Sequence, residues 1–189
     1  MSVLSVIPSI DIIFGPMFSG KTSEIIRRLN IYYEMGMKVV YINSKKDNRS
    51  DTNFSSHNST IGSLQFDTIK LDDLYECKIQ QYDVIGIDES QMFQNLKNTV
   101  LDWVENHNKI VIVAGLNGDF QRENFGEINS LIPFCDSISK LTPFCITCKK
   151  ERNKINPALF TKRICKDNTS IILIGGKEMY IPVCRSCFK

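Results

Sequence analysis

Apolar residues come along this chain in short unbroken runs rather than in strict alternation with polar ones. "IDIIF" (10 to 14), "KVVYIN" (38 to 43), "DVIGID" (83 to 88) and "KIVIVAG" (109 to 115) are rich in β-branched residues, and continuous runs of this kind predict strands buried on both faces. After the first run the period changes. Ile25, Ile26, Leu29, Tyr32 and Tyr33 recur at helical spacing, and "LKNTVLDWVENHN" repeats the pattern before the fourth run, with Trp103 beside Val100 and Val104 on its core face. Strands separated by helices predict an α/β fold, a parallel sheet covered on both faces. Weaker strands are expected near 66 to 70 and 137 to 141. "DNRSDTNFSSHNSTIG" (47 to 62) is polar and without period, and reads as a long loop. From Thr142 onward paired cysteines and a β-rich tail, "TSIILIGG" and "EMYIPV", take over. The expected organisation is an α/β unit over 1–141 and a small second unit over 142–189.

Composition narrows the function classes. The 189 residues suffice for one such domain and an appendage. Twenty-three Lys and Arg face 21 acids, a net charge of +2, with short basic clusters only at Lys45-Lys46 and Lys149-Lys150. That balance argues against nucleic-acid and membrane partners, and the Lys149 to Arg152 run reads as a solvated face. The start lacks a basic region followed by an apolar stretch, and no segment approaches about 18 apolar residues. The expected compartment is the cytoplasm, a host's if the source is a virus. Seven cysteines, an odd number, fit no disulfide framework. His57 and His107 lie far from them in sequence and read as surface residues.

"GPMFSGKT" (Gly15, Pro16, Met17, Phe18, Ser19, Gly20, Lys21, Thr22) fits G-x-x-x-x-G-K-[ST] between a predicted strand and a predicted helix. The glycines let backbone N–H groups turn inward on phosphate oxygens at a helix N-terminus. Lys21 would reach the β- and γ-phosphates, and Thr22 would ligate Mg²⁺. This is a P-loop NTPase-like signature. Asp88, ending a buried strand, suits the acid that holds the water shell of Mg²⁺. Glu89 is a second carboxylate beside it, either a helix cap or solvated group, or a base on an attacking water or hydroxyl; residue types alone leave these open. Cys145, Cys148, Cys184 and Cys187 form two C-x-x-C pairs with 35 residues between the inner cysteines. Four thiolates suit a closed structural Zn²⁺ site that folds the tail and does no chemistry.

Taken together, "GPMFSGKT", "IDESQMF", "AGLNGDFQRENFG", "KLTPFCITC", "LFTKR" and "IGGKEMYIPVCRSC" resemble, in order, the motifs of the type II thymidine kinases, the cellular and poxvirus-like group. The resemblance implies transfer of the γ-phosphate of ATP to the 5′-hydroxyl of thymidine, and deoxyuridine beside it, with Mg²⁺ and a structural Zn²⁺. Glu89 would be the base on the hydroxyl. A lasso loop from the zinc unit would close over the nucleoside and hold its base through main-chain hydrogen bonds. Carried over by position, Met17, Met92, Leu116, Phe120, Thr161, Ile171, Leu173, Gly175 and Tyr180 would bind the nucleoside, with Tyr180 over sugar and base. Gln91, Asp47 and Arg49 would lie on the ATP–Mg²⁺ side. The resemblance also implies a homotetramer inhibited by thymidine triphosphate. Met92 stands where the family usually has an aromatic residue, which replaces stacking by a thioether contact. Asn117 and Asp119 stand where Asp and Thr are more usual, and "NKINPAL" lengthens the segment before the lasso.

Two other classes make demands that these residues meet poorly. A nucleic-acid switch built on a P-loop and zinc ribbon would need a basic, aromatic-interleaved surface. A GTPase would need an N-K-x-D guanine reader, and a nucleoside monophosphate kinase an arginine-rich lid, where only Arg152 and Arg163 are available.

Overall fold

The computed structural model describes residues 7–47, 64–165 and 170–189. Arg49, His57 and nearly all of the polar stretch expected as a loop lie outside them. Six strands form one sheet: β1 (Ser9–Phe14), β2 (Val39–Ser44), β3 (Asp67–Leu71), β4 (Val84–Ile87), β5 (Ile110–Gly115) and β6 (Ser137–Lys140), in the order β3-β2-β4-β5-β1-β6. Every pairing is parallel, as the continuous apolar runs predict.

Burial on both faces explains those runs. Ile13, Val39, Tyr41, Val84, Ile110 and Ile112 point to one side, where Ile25, Ile26 and Leu29 of α1 (Lys21–Glu34) cover them. Their strand neighbours Ile12, Val40, Ile85, Val111 and Val113 point to the other, against Leu96, Val100 and Trp103 of α2 (Leu96–Glu105). Contact on the α1 side is close enough that a Cβ at Gly86 would meet Leu29 Cδ1 at 2.5 Å. The second helix stops at Glu105, three residues before the predicted "NHN" end. Asn108 takes a positive φ of 53°, and Lys109 N–H turns back to Trp103 O at 3.0 Å to enter β5.

Beyond the sheet, α3 (Ile146–Arg152), β7 (Phe160–Arg163), β8 (Tyr180–Val183) and the short α4 (Arg185–Phe188) surround the four paired cysteines. The two strands pair antiparallel. One expectation fails here: "TSIILIGG" is no strand, since the described residues 170–176 have no regular secondary structure. Their carbonyls go elsewhere, with Ser170 O and Ile171 O accepting from the Arg163 side chain and Leu173 O from the Tyr180 hydroxyl. Strand propensity loses to side-chain donors that a linear pattern does not reveal.

Candidate active site

The carboxyl ends of β1, β2, β4 and β5 open on one cavity of about 400 Å³, the edge at which parallel α/β sheets bind ligands. Gly15 follows β1, and a Cβ there would meet Leu141 O at 2.2 Å, so the loop over Gly15 to Gly20 leaves the sheet only as glycine. Gly20 closes the loop at φ 86°, in the left-handed region that glycine adopts without strain, and caps α1. Lys21 is buried and its Nζ donates to Pro16 O at 2.9 Å, across the loop.

Thr22 lies in the first turn of α1 and its hydroxyl donates to Asp88 Oδ2 at 2.7 Å. That carboxylate, just past β4, is fully buried. Burial first, and then the charge of Glu89, push its pKa up, while hydrogen bonds from Thr22, the Glu89 N–H and Tyr41 oppose the rise. The paired hard oxygens of Thr22 and Asp88 are the donor chemistry that suits Mg²⁺. Asp47, beyond β2, is buried with its side chain accepting from Asn43 at 3.2 Å, and lines the same cavity.

Glu89 takes φ 47°, a left-handed backbone uncommon for a residue with a side chain. It precedes a 3₁₀ turn over Ser90–Met92 but makes no side-chain cap; instead Oε2 accepts from Gln91 Nε2 at 2.5 Å and the residue faces the cavity. The capping alternative is therefore excluded. Gln91 Oε1 accepts from the Leu116 N–H at 2.9 Å, so one amide ties the end of β5 to the candidate base. Two glycines press on this turn. A Cβ at Gly115 would meet Ser90 Oγ at 2.3 Å, and one at Gly126, where φ is 64°, would meet Gln91 Cα at 2.7 Å.

Met17, Met92, Leu116, Phe120, Thr161, Ile171, Leu173, Gly175 and Tyr180, the nine positions assigned to a nucleoside, all line the cavity. Thr161 also accepts from the Met17 N–H at 2.9 Å, which joins β7 to the phosphate loop. Of the positions assigned to ATP and Mg²⁺, Phe18, Gly20, Lys21, Thr22, Asp47 and Gln91 line it too, whereas Asp88 stands behind Thr22.

Several lining residues escaped the sequence reading, among them Phe125, Arg163 and Lys177. Asp119 is another: its Oδ1 accepts from the Gln121 and Glu123 N–H groups at 2.8 and 3.0 Å, which folds the "GDFQRE" turn that presents Phe120. An Asp two residues before a backbone N–H is the Asx-turn signal that could have found it.

The sulfurs of Cys145, Cys148, Cys184 and Cys187 all lie within 4.8 Å of one another and the residues are buried. Cys148 Sγ stands 3.7 Å from Cys184 Sγ and 3.5 Å from Cys187 Sγ. A tetrahedron of Zn–S bonds about 2.3 Å long has edges of about 3.8 Å, so the cluster fits zinc. Asn156 Nδ2 donates to Cys148 Sγ at 3.2 Å, the kind of outer hydrogen bond that steadies a thiolate ligand. Among the described residues no helix is long and apolar enough to cross a membrane.

Comparison with known proteins agrees with this geometry. The family model described as thymidine kinase matches residues 8–188. The chain is 43% identical over 185 residues to the thymidine kinase of Amsacta moorei entomopoxvirus, covering 95% of this chain and 97% of that protein. It is 41% identical over 179 residues to the thymidine kinases of Vaccinia virus (strain Western Reserve) and Monkeypox virus, covering 95% of this chain and 96% of each.

Proposed function

The chain belongs to the thymidine kinase family, and from that premise we propose that it transfers the γ-phosphate of ATP to the 5′-hydroxyl of thymidine, and of deoxyuridine, to give the monophosphates. One observation carries the reading. Glu89 faces the cavity that the phosphate loop borders on one side and the predicted nucleoside positions line on the other.

Phosphate is bound by backbone N–H groups of the glycine loop and by Lys21, whose charge offsets that of the transferring group; Pro16 has no N–H to give and the Met17 N–H is taken by Thr161. Glu89 accepts the hydrogen bond of the 5′-hydroxyl, orients a lone pair of its oxygen toward phosphorus, and takes the proton as the new P–O bond forms. The bond from the γ-phosphorus to the bridging oxygen breaks and ADP leaves. Gln91 fixes the carboxylate through the bond to Oε2, so Glu89 does not have to be ordered when substrate arrives.

Thr22 and Asp88 would hold Mg²⁺, with Asp47 lining the same cavity; the cation would supply neutralisation of charge on the phosphates. Cys145, Cys148, Cys184 and Cys187 would hold Zn²⁺, which supplies folding energy to 142–189, the unit that closes the pocket, while 1–141 carries the phosphate chemistry. The cytoplasm, a homotetramer and inhibition by thymidine triphosphate complete the reading, all three resting on the family.

The test is a transfer assay with purified protein, Mg²⁺ and ATP, offering thymidine, deoxyuridine, deoxycytidine, deoxyguanosine and thymidine monophosphate in parallel. Phosphorylation of thymidine above the purine and cytosine nucleosides is expected. ATP hydrolysis with no nucleoside product would overturn the reading and leave only the phosphate loop.

A further inference from the structure

We infer that Arg163 is a positioning residue for the nucleoside pocket, holding the irregular wall of residues 170–173 in its closed geometry; the inference rests on the reading of the cavity as that pocket. Among the described residues the wall pairs with no strand. Arg163 reaches it from β7. Its Nη1 donates to Ser170 O at 2.6 Å, and its Nη2 donates to Ile171 O at 3.1 Å and to the Tyr180 hydroxyl at 2.9 Å. The Tyr180 hydroxyl passes the connection on, donating to Leu173 O at 2.7 Å.

The opposite face of the same guanidinium lies 3.7 Å from the centre of the Phe120 ring. Phe120 comes from the turn that follows β5 and lines the same cavity. One planar cation therefore ties the wall to the turn after β5: its edge serves two carbonyls and a phenol while its face packs on an aromatic ring. Arg163 is 7% exposed, so these contacts form with little competition from water.

This geometry demands arginine in particular. A lysine ammonium is a point charge that neither reaches three acceptors on two diverging nitrogens nor stacks flat on a ring. Arg163→Lys keeps the charge and approximate length but loosens the wall, whereas the phosphate side, which β7 meets through Thr161, changes far less. Removing contacts that bind ground state and transition state alike raises KM and spares kcat.

The experiment compares the full-length protein with Arg163→Lys and, because the lysine variant could misfold, with Tyr180→Phe, which removes the relay to Leu173 but keeps the ring. Steady-state kinetics are read together with the rate of tryptic cleavage after the exposed Lys177 in the nucleoside-free protein. For Arg163→Lys the expected result is a thymidine KM raised about tenfold or more, kcat and the KM for ATP within about threefold, and faster cleavage after Lys177. Tyr180→Phe should give a smaller change in the same direction.

Unchanged KM and cleavage in both variants would overturn the inference, as would a lowered melting temperature with wild-type kinetics. A raised KM without faster cleavage would also overturn it, because Arg163 would then be acting on substrate directly. If the wild-type protein phosphorylates no nucleoside, the proposed function falls, and the cleavage comparison still decides whether Arg163 holds the wall.

Discussion

Tyr41 and Thr22 donate their hydroxyls to the same carboxylate oxygen, Asp88 Oδ2, at 2.8 and 2.7 Å. Tyr41 is fully buried in β2, and burial together with the charge of Asp88 pushes its phenol well above the usual range. It is therefore a donor at every working pH. Both donors favour the ionised form of a carboxylate that desolvation disfavours.

Tyr41→Phe removes one of those donors without changing the packing. The variant should lose about 1.5–3 kcal/mol at neutral pH, the usual worth of a hydrogen bond to a charged group. The sign of the pH dependence follows from Asp88, whose pKa burial already raises. A raised acid favours the folded state while protonated, and that advantage is lost as pH rises through the folded pKa. Without Tyr41 the pKa climbs further, so the stability deficit should shrink on acidification and the acid limb of turnover should move to higher pH. Melting curves and a kcat profile across pH check both; a deficit constant with pH would deny the role.

Glu89→Gln keeps the size of the candidate base and its left-handed backbone but removes the proton acceptor. Turnover should fall roughly 10²-fold or more, with ATP affinity by calorimetry nearly intact. Wild-type turnover in the variant would remove Glu89 from the chemistry.

The contact between β5 and the turn carrying Gln91 makes a paired prediction. Gly115→Ala would drive a methyl to 2.3 Å from Ser90 Oγ and 2.8 Å from Gln91 Oε1, displacing the support of Glu89. It should cost about 1–3 kcal/mol and lower kcat. Ser90 Oγ itself is buried with no hydrogen-bond partner among the described residues. Ser90→Ala should therefore be neutral or stabilising, and in the double variant it should restore part of both losses. Strictly additive effects would show that the clash is relieved elsewhere.

Much of this site is legible along the chain because its chemistry is local. Gly15 to Thr22 carry their geometry in one stretch, Asp88 and Glu89 follow a buried run, and the cysteines come as close pairs. The resemblance supplied the nucleoside positions, which come from separate elements. Along the chain Arg163 reads only as a lid cation, since a charged residue in "FTKR" gives no hint that it is buried, or that β7 is a strand at all. Tyr41 looks like one more strand residue until the fold brings it to Asp88, 47 positions away. The strand expected over "TSIILIGG" fails for the same reason: its carbonyls answer to side chains from β7 and β8.

The cysteine cluster links folding to the pocket. β7 and β8 lie beside it and carry Thr161, Arg163 and Tyr180, and Asn156 reaches Cys148 Sγ from the loop before β7. If zinc holds the cluster, atomic absorption should find about one Zn²⁺ per chain, and chelation should release the fold of this unit. The six-stranded sheet has its own two-sided core, so circular dichroism should retain most of its signal after chelation. Met17 N–H would lose Thr161 and the cavity would lose one wall. Thymidine phosphorylation should accordingly vanish while ATP binding at the phosphate loop weakens far less. Restored activity on adding back Zn²⁺, but not Mg²⁺, would assign the metal. A metal-free protein with wild-type activity and melting temperature would show instead that buried thiols and packing suffice.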